Sequence, residues 1–358
     1  MIDRGPVDMK GDNLFFIGIV LILAFCLPGC VSQVSDITIV DEKGDADYSS
    51  IQEAVNAANP GDVIEVRTGV YKENVVITKD ITLRGTGLPV IDAGRNGGGV
   101  VLSADGIDLE DFVVVNSSED FGGIMILSND TRVANNTAIN NVVGIMLEDG
   151  SNNTLTENLI ANNENTGLYL YFSNNNTIIN NYIGFNLGDG INLWYSKDEA
   201  IEANTATNNA GNGIRFSFST NNSVVNNDAT NNSLSGIKLS NSGGNIIRRN
   251  SAGNNVLDAI ITDSENNIFE DNIPDSVTVT ERVIPFIRGR LTHVVVYSTP
   301  PGANIILDEN KTASTPAALP FKESGEHTLV LQKPGYNDYE RTFAVPETKK
   351  IEASLESP

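Results

Sequence analysis

The chain has 358 residues and a formal net charge of −23 at pH 7, from 23 Lys and Arg against 46 Asp and Glu. That acidity, with no basic stripe, argues against a nucleic-acid partner, because a phosphate backbone must be met by clustered cations. Apolar residues at 40% and charged residues at 19% describe a folded chain with material for a core, and two Cys with two His leave little for disulfide, zinc or thiol chemistry.

Leu14 to Phe25 is a run of twelve apolar residues. A membrane-spanning helix needs about 20, so the run fits the apolar region of an export signal. Leu27-Pro28-Gly29-Cys30 is similar to a lipoprotein cleavage box, which implies cleavage before Cys30 and lipidation of its thiol. Residues 1–30 are therefore expected to be a signal peptide and lipid anchor, with an uncleaved anchor as the alternative, and residues 31–35 a linker. After cleavage only Cys30 would remain, so no intramolecular disulfide could form.

Between Ile37 and Gly106 the pattern predicts the first turns of a solenoid. Ser50-Ile51-Gln52-Glu53 is a capping box that opens a short amphipathic helix, with Ile51, Ala54, Val55 and Ala58 on one side. Asn59-Pro60-Gly61 stops it. A capping helix here has a physical reason, since an open apolar end would invite strand addition.

Asn is the compositional outlier: there are 45, of which 36 lie between Asn129 and Asn272. Asn accepts turns that visit left-handed backbone, so this density implies many identical turns. The period is explicit. Gly followed by an aliphatic residue recurs at Gly123, Gly144, Gly167, Gly190, Gly213 and Gly236, and Ala259-Ile260 closes the series, with a spacing of 21 once and then 23 five times. Each unit reads Gly-Ile-x-Leu, a polar turn, Asn-Asn-Thr-Ile, then further Asn. The fifteenth position is Asn158, Asn181, Asn204, Asn227 and Asn250, with Asn136 and Asn272 in the two shorter units. Runs of about four alternating residues between such turns are strands. One unit cannot bury its own apolar face, whereas stacked units can. The predicted fold is all-β: a right-handed parallel β-helix over residues 36–273, with three strands per turn of ~23 residues and an Asn ladder at one corner.

The segment from Tyr48 through Gly61-Asp62-Val63-Ile64 and Gly69-Val70-Tyr71 to Leu83-Arg84-Gly85 resembles the opening of pectin-lyase-like β-helices. The Gly-Ile-x-Leu and Asn-Asn-Thr-Ile units resemble NosD-like repeats, found in carbohydrate-binding and sugar-hydrolase (CASH) modules and in secreted archaeal proteins. The resemblance covers roughly residues 36 to 273 and speaks to fold more than to activity.

Residues 274–291, with Arg282, Arg288 and Arg290, are expected to be a cap or linker. From Thr292 the alternation is that of a small antiparallel sheet. Ser298-Thr299-Pro300-Pro301-Gly302-Ala303 and Lys333-Pro334-Gly335-Tyr336 are similar to a PEGA domain, which implies a small β-sandwich over residues 292–358, common on exported proteins and serving attachment or spacing.

Outward columns of the repeats are where chemistry would sit. The third position gives Met125, Met146, Tyr169, Asn192, Arg215, Lys238 and Ile261; the fifth gives Leu127, Glu148, Tyr171, Trp194, Ser217, Ser240 and Asp263. Strand alternation turns both outward. Tyr169, Tyr171, Asn192, Trp194, Arg215 and Lys238 then form a candidate glycan platform, an apolar shelf with polar groups at its edge. Arg215 directly beside Lys238 is unfavourable without an anion between them, which suggests an acidic sugar. The competing interpretation is an aromatic surface that stabilises cross-strand pairs or is covered by the C-terminal domain. The sixth column, Phe172, Tyr195 and Phe218, is expected to point inward and fill the core at a corner.

A lyase or hydrolase would need clustered acids with a base. The best set is Asp189, Asp198 and Arg215, which is thin for a catalytic centre. NosD-like proteins are described as copper-binding, but copper prefers His, Cys or Met, and His293 and His327 lie outside the repeats. No cofactor and no resident metal are predicted; calcium in the acidic turns stays open. The functional expectation is a cell-surface, lipid-anchored protein that binds a polysaccharide or envelope glycan without cleaving it. The alternatives are a polysaccharide lyase or glycoside hydrolase, and a structural spacer.

Overall fold

The computed structural model describes residues 37–281 and 291–358. The export segment with Cys30, the 31–35 linker, and Arg282, Arg288 and Arg290 lie outside the described residues. Among those described, no helix is long and apolar enough to cross a membrane.

From Ile37 to Val279 the chain winds as a parallel β-helix whose turns pair into three sheets of 11, 10 and 7 strands. Its last strand, Val277–Val279, pairs with Ile260–Thr262, so the solenoid continues into the stretch expected to be a cap or linker. Register is strict. Ile145, Leu168, Ile191, Ile214, Ile237 and Ile260 stack in successive turns and are fully buried. Each repeat glycine is set by close approach. A Cβ at Gly167 would lie 2.5 Å from Ile183 Cγ2 and 2.6 Å from Asn186 Nδ2, distances that no real side chain shows.

The structure has three amide ladders where one was predicted. Asn136, Asn158, Asn181, Asn204, Asn227, Asn250 and Asn272 form the expected column. In it each side-chain Oδ1 accepts the main-chain N–H of the preceding rung, as Asn204 does from Asn181 at 2.9 Å. A second column runs from Asn141 through Asn163, Asn186, Asn209 and Asn232 to Asn255. A third runs Asn153, Asn176, Glu199, Asn222, Asn245 and Asn267. The Asn doublets now have a cause. The first member, such as Asn180 or Asn226, is exposed with φ 57°, a left-handed conformation that Asn tolerates. The second, such as Asn181 or Asn227, is buried in the ladder.

The N-terminal end is closed by the helix Ile51–Ala57. Ser50 Oγ accepts the Glu53 N–H at 3.2 Å, half of the predicted capping box. Glu73 does the rest, accepting the N–H groups of Ile51 and Gln52 at 3.0 and 2.9 Å. At the other end Lys79 Nζ donates to the carbonyls of Asn56 and Ala58 at 2.7 and 2.5 Å, satisfying groups a helix end leaves unpaired. Burial holds this ammonium below the usual lysine range.

Residues 292–358 form a sandwich of a three-stranded and a four-stranded sheet, around Val294, Val296, Ile305, Leu319, Leu329, Leu331 and Ile351. Pairing is antiparallel throughout, except that Thr292–Thr299 runs parallel to Lys350–Ser354. The sandwich does not stand apart. Val295 packs with Val76, Val101, Met125 and Met146, outward residues of the ten-stranded sheet's first turns, and with Phe121 just before the strand Gly122–Ile126. At its centre His293 donates its main-chain N–H to Glu148 Oε1 at 3.0 Å, and its Nδ1 lies 2.6 Å from Glu148 Oε2. Its Nε2 is 3.1 Å from the Asp120 carbonyl. Both His293 and Glu148 are about 1% exposed.

Candidate functional site

The sandwich covers the outward columns as far as Met146 and Glu148. Beyond it the same sheet continues through Leu168–Tyr171, Ile191–Trp194, Ile214–Ser217 and Ile237–Ser240. The register is as read from the repeats. Tyr169 opposes Asn192, which opposes Arg215, which opposes Lys238; beside them Tyr171 opposes Trp194, which opposes Ser217. All six residues of the candidate platform therefore share one face.

They are not equally accessible. Tyr171 is 7% exposed, so it forms a floor and not a shelf. Tyr169, Asn192, Trp194, Arg215 and Lys238 are half-buried. Burial pushes the Tyr169 hydroxyl up, with the neighbouring Tyr171 adding and Arg215 opposing, so it stays an O–H donor at neutral pH.

The sixth column departs from expectation. Phe172, Tyr195 and Phe218 have φ of 53°, 51° and 52°, and left-handed backbone at the corner turns their rings out of the core. They are half-buried and stack face to face, with centroids 5.0 and 4.8 Å apart and 6° between planes. Trp194 leans on this column, 6.3 Å from Tyr195 and 6.4 Å from Phe218. Asp149 and Asn241 hold the same corner in flanking turns, residue types at ease with positive φ. Three bulky residues in succession cost about 1 kcal/mol each or more, and such outliers gather where a surface has work to do. Period-2 alternation could not show this, because it assumes an unbroken strand.

Arg215 and Asp189 meet, at 3.5 Å. Asp189 is already engaged: Oδ1 accepts the Asn212 N–H and Nδ2 at 2.7 Å each, and Oδ2 accepts Asn192 Nδ2 at 3.3 Å. Asp198 sits past the other end of that strand, exposed, at a corner with φ 57°. The three residues named for a catalytic centre are thus not assembled in one place. Among the described residues no group of three or more His, Cys, Asp and Glu is placed to hold a metal ion. One signal was absent from the columns altogether. Asn192 Oδ1, Arg215 Nε and Ser217 Oγ are buried atoms with no hydrogen-bond partner, clustered on two paired strands. An unpaired buried polar atom costs about 1–3 kcal/mol, so the three mark a poorly satisfied patch beneath this face.

These features define a three-sheet parallel solenoid with aromatic and polar columns on one outward face. The chain belongs to the right-handed β-helix family, whose region is matched over residues 56–201, 122–273 and 186–311, and it carries a PEGA domain at residues 291–357. Among solved structures it is similar to the A-module of mannuronan C-5 epimerase AlgE4 from Azotobacter vinelandii. Identity is 14% and the TM-score 0.50, covering 66% of this chain and 92% of that one. ORF18 of Geobacillus virus E2 is similar at 14% identity and TM-score 0.50, covering 90% and 76%. Pectate lyase Pel9A follows at 16% identity and TM-score 0.49, covering 70% and 78%. At these identities the likeness is one of fold. Comparison with curated proteins returns no match.

Proposed function

We propose that this is an extracytoplasmic glycan-binding protein that holds its ligand without cleaving it, on the face formed by Tyr169, Asn192, Trp194, Arg215 and Lys238, with Tyr171 beneath. The observation that carries this reading is the half-buried Trp194 sharing one outward face with the half-buried side chains of Asn192, Arg215 and Lys238. Together they offer an apolar ring next to hydrogen-bonding groups, the pairing a sugar ring satisfies. Arg215 opposite Lys238 favours an acidic sugar over a neutral one. The epimerase of similar fold is named for its action on mannuronan, which agrees with a polysaccharide partner. The same reading takes the repeats as NosD-like, the protein as an archaeal surface protein, and Cys30 as its lipid anchor.

The test is electrophoresis of residues 31–358 through gels cast with neutral and acidic polysaccharides, with and without calcium, followed by sizing of the recovered polymer. Retardation over intact chains, lost in Trp194→Ala, is the expected result. Shortened chains, with cleavage abolished by Arg215→Ala, would make the protein a lyase or hydrolase. No retardation and no cleavage across the panel would leave a structural spacer.

A further inference from the structure

We propose that Glu199 serves as the uncharged, hydrogen-donating rung of the third amide ladder, and that loss of its proton weakens the solenoid at that turn. In this ladder a complete rung gives two N–H groups to the next Oδ1. Asn153 gives them to Asn176 at 2.8 and 3.0 Å, Asn222 to Asn245 at 2.9 Å each, and Asn245 to Asn267 at 2.9 and 3.0 Å. Glu199 receives both donors of Asn176, at 2.8 and 3.1 Å. In return it gives Asn222 Oδ1 only its main-chain N–H, at 2.9 Å. A carboxylate has no second donor to offer, whereas a carboxylic acid has one.

The surroundings favour the acid. Glu199 is 1% exposed. The turns stacked on either side bring Asn174-Asn175-Asn176 and Thr220-Asn221-Asn222, none of them ionisable. On its own turn Lys197 and Asp198 are both exposed. Burial pushes the Glu199 carboxyl up to about 8, the Asp198 charge adding and the Asn176 bonds opposing. Between the ordinary carboxyl range near 4.5 and about 8, the folded chain keeps a proton that the unfolded chain releases. The stability from the neutral rung is therefore complete at the acid end of that window and is lost as pH rises through it.

Urea unfolding of the full chain and of Glu199→Gln, followed by Trp194 fluorescence from pH 5 to 9, tests this. Gln restores the missing donor and cannot ionise, and the other acids cancel in the difference between the two proteins. The ratio of the two unfolding constants should grow toward tenfold per pH unit within the window. Parallel pH profiles would overturn the proposal. The unmodified chain gives a second test at pH 6.5, an infrared carbonyl band of a protonated carboxylic acid that exchanges slowly with deuterium. Its presence, and its loss in Glu199→Gln, is expected; its absence from the unmodified chain would also overturn the proposal.

Discussion

Replacing Glu148 with Ala should release the C-terminal sandwich from the solenoid. The carboxylate accepts the His293 main-chain N–H and faces its Nδ1, and both residues are shut away from solvent. Removing it leaves two buried nitrogen groups of His293 without an acceptor, each costing about 1–3 kcal/mol. The total, about 4 kcal/mol, lies in the range for breaking a buried pair. At 1.4 kcal/mol per decade, docking weakens about a thousandfold. The chain supplies its own reporters. Of its four Met, Met125 and Met146 lie under the sandwich at 0% and 2% exposure. Peroxide oxidation of these two, read by mass spectrometry, should accelerate strongly in Glu148→Ala, while the circular dichroism of the solenoid is retained. Glu148→Gln, which keeps one carbonyl acceptor, should fall between. Equal oxidation rates in wild type and Glu148→Ala would refute the reasoning, because the pair would then contribute nothing to docking.

Two further outcomes follow from the ladders and the corners. Asn204→Ala removes the acceptor of the Asn181 N–H and the donor to the Ile178 carbonyl, which should cost about 3 kcal/mol by urea unfolding. At the exposed corner one turn on, Asn226→Ala should cost only the left-handed backbone, about 1 kcal/mol; the reverse order would mean that the ladders are not structural. Tyr195→Asn gives up three ring contacts, to Phe172, Trp194 and Phe218, worth about 0.5–1.5 kcal/mol each, and recovers about 1 kcal/mol of backbone strain. Stability should therefore fall by about 2 kcal/mol while polysaccharide retardation weakens. A large stability loss with retardation unchanged would make the aromatic column a structural brace.

The solenoid was legible because its information is one-dimensional. A period of 23 residues places core positions such as Leu168 and Ile191, corner amides and outward columns without reference to anything distant. That is why the pairing of Tyr171 with Trp194 and of Arg215 with Lys238 could be read from spacing alone. What spacing misses is contact across long separations. Glu148 looked like one scattered acid in a column, and His293, 145 residues away, like a histidine outside the repeats; only folding makes them partners. The amide columns through Asn186 and Asn222 escaped for a subtler reason. Asn at turns is expected for backbone conformation alone, so a buried rung and an exposed one look alike in sequence. The corner aromatics were misplaced because one left-handed residue resets the alternation.

The fixed length of the turns also separates the molecule's reach from its fold. The sandwich rests on turns that end at Glu148, and each unit from Gly144 to Ala259 has 23 residues. Excising residues 214–236 would join Gly213 to Ile237, set Asn250 above Asn204 and Lys238 beside Asn192, and shorten the arm by about 4.8 Å, with every side chain facing as before. Whole turns are therefore interchangeable parts, and the distance between the docked domain and the far tip can be lengthened or shortened like a ruler cut at its graduations.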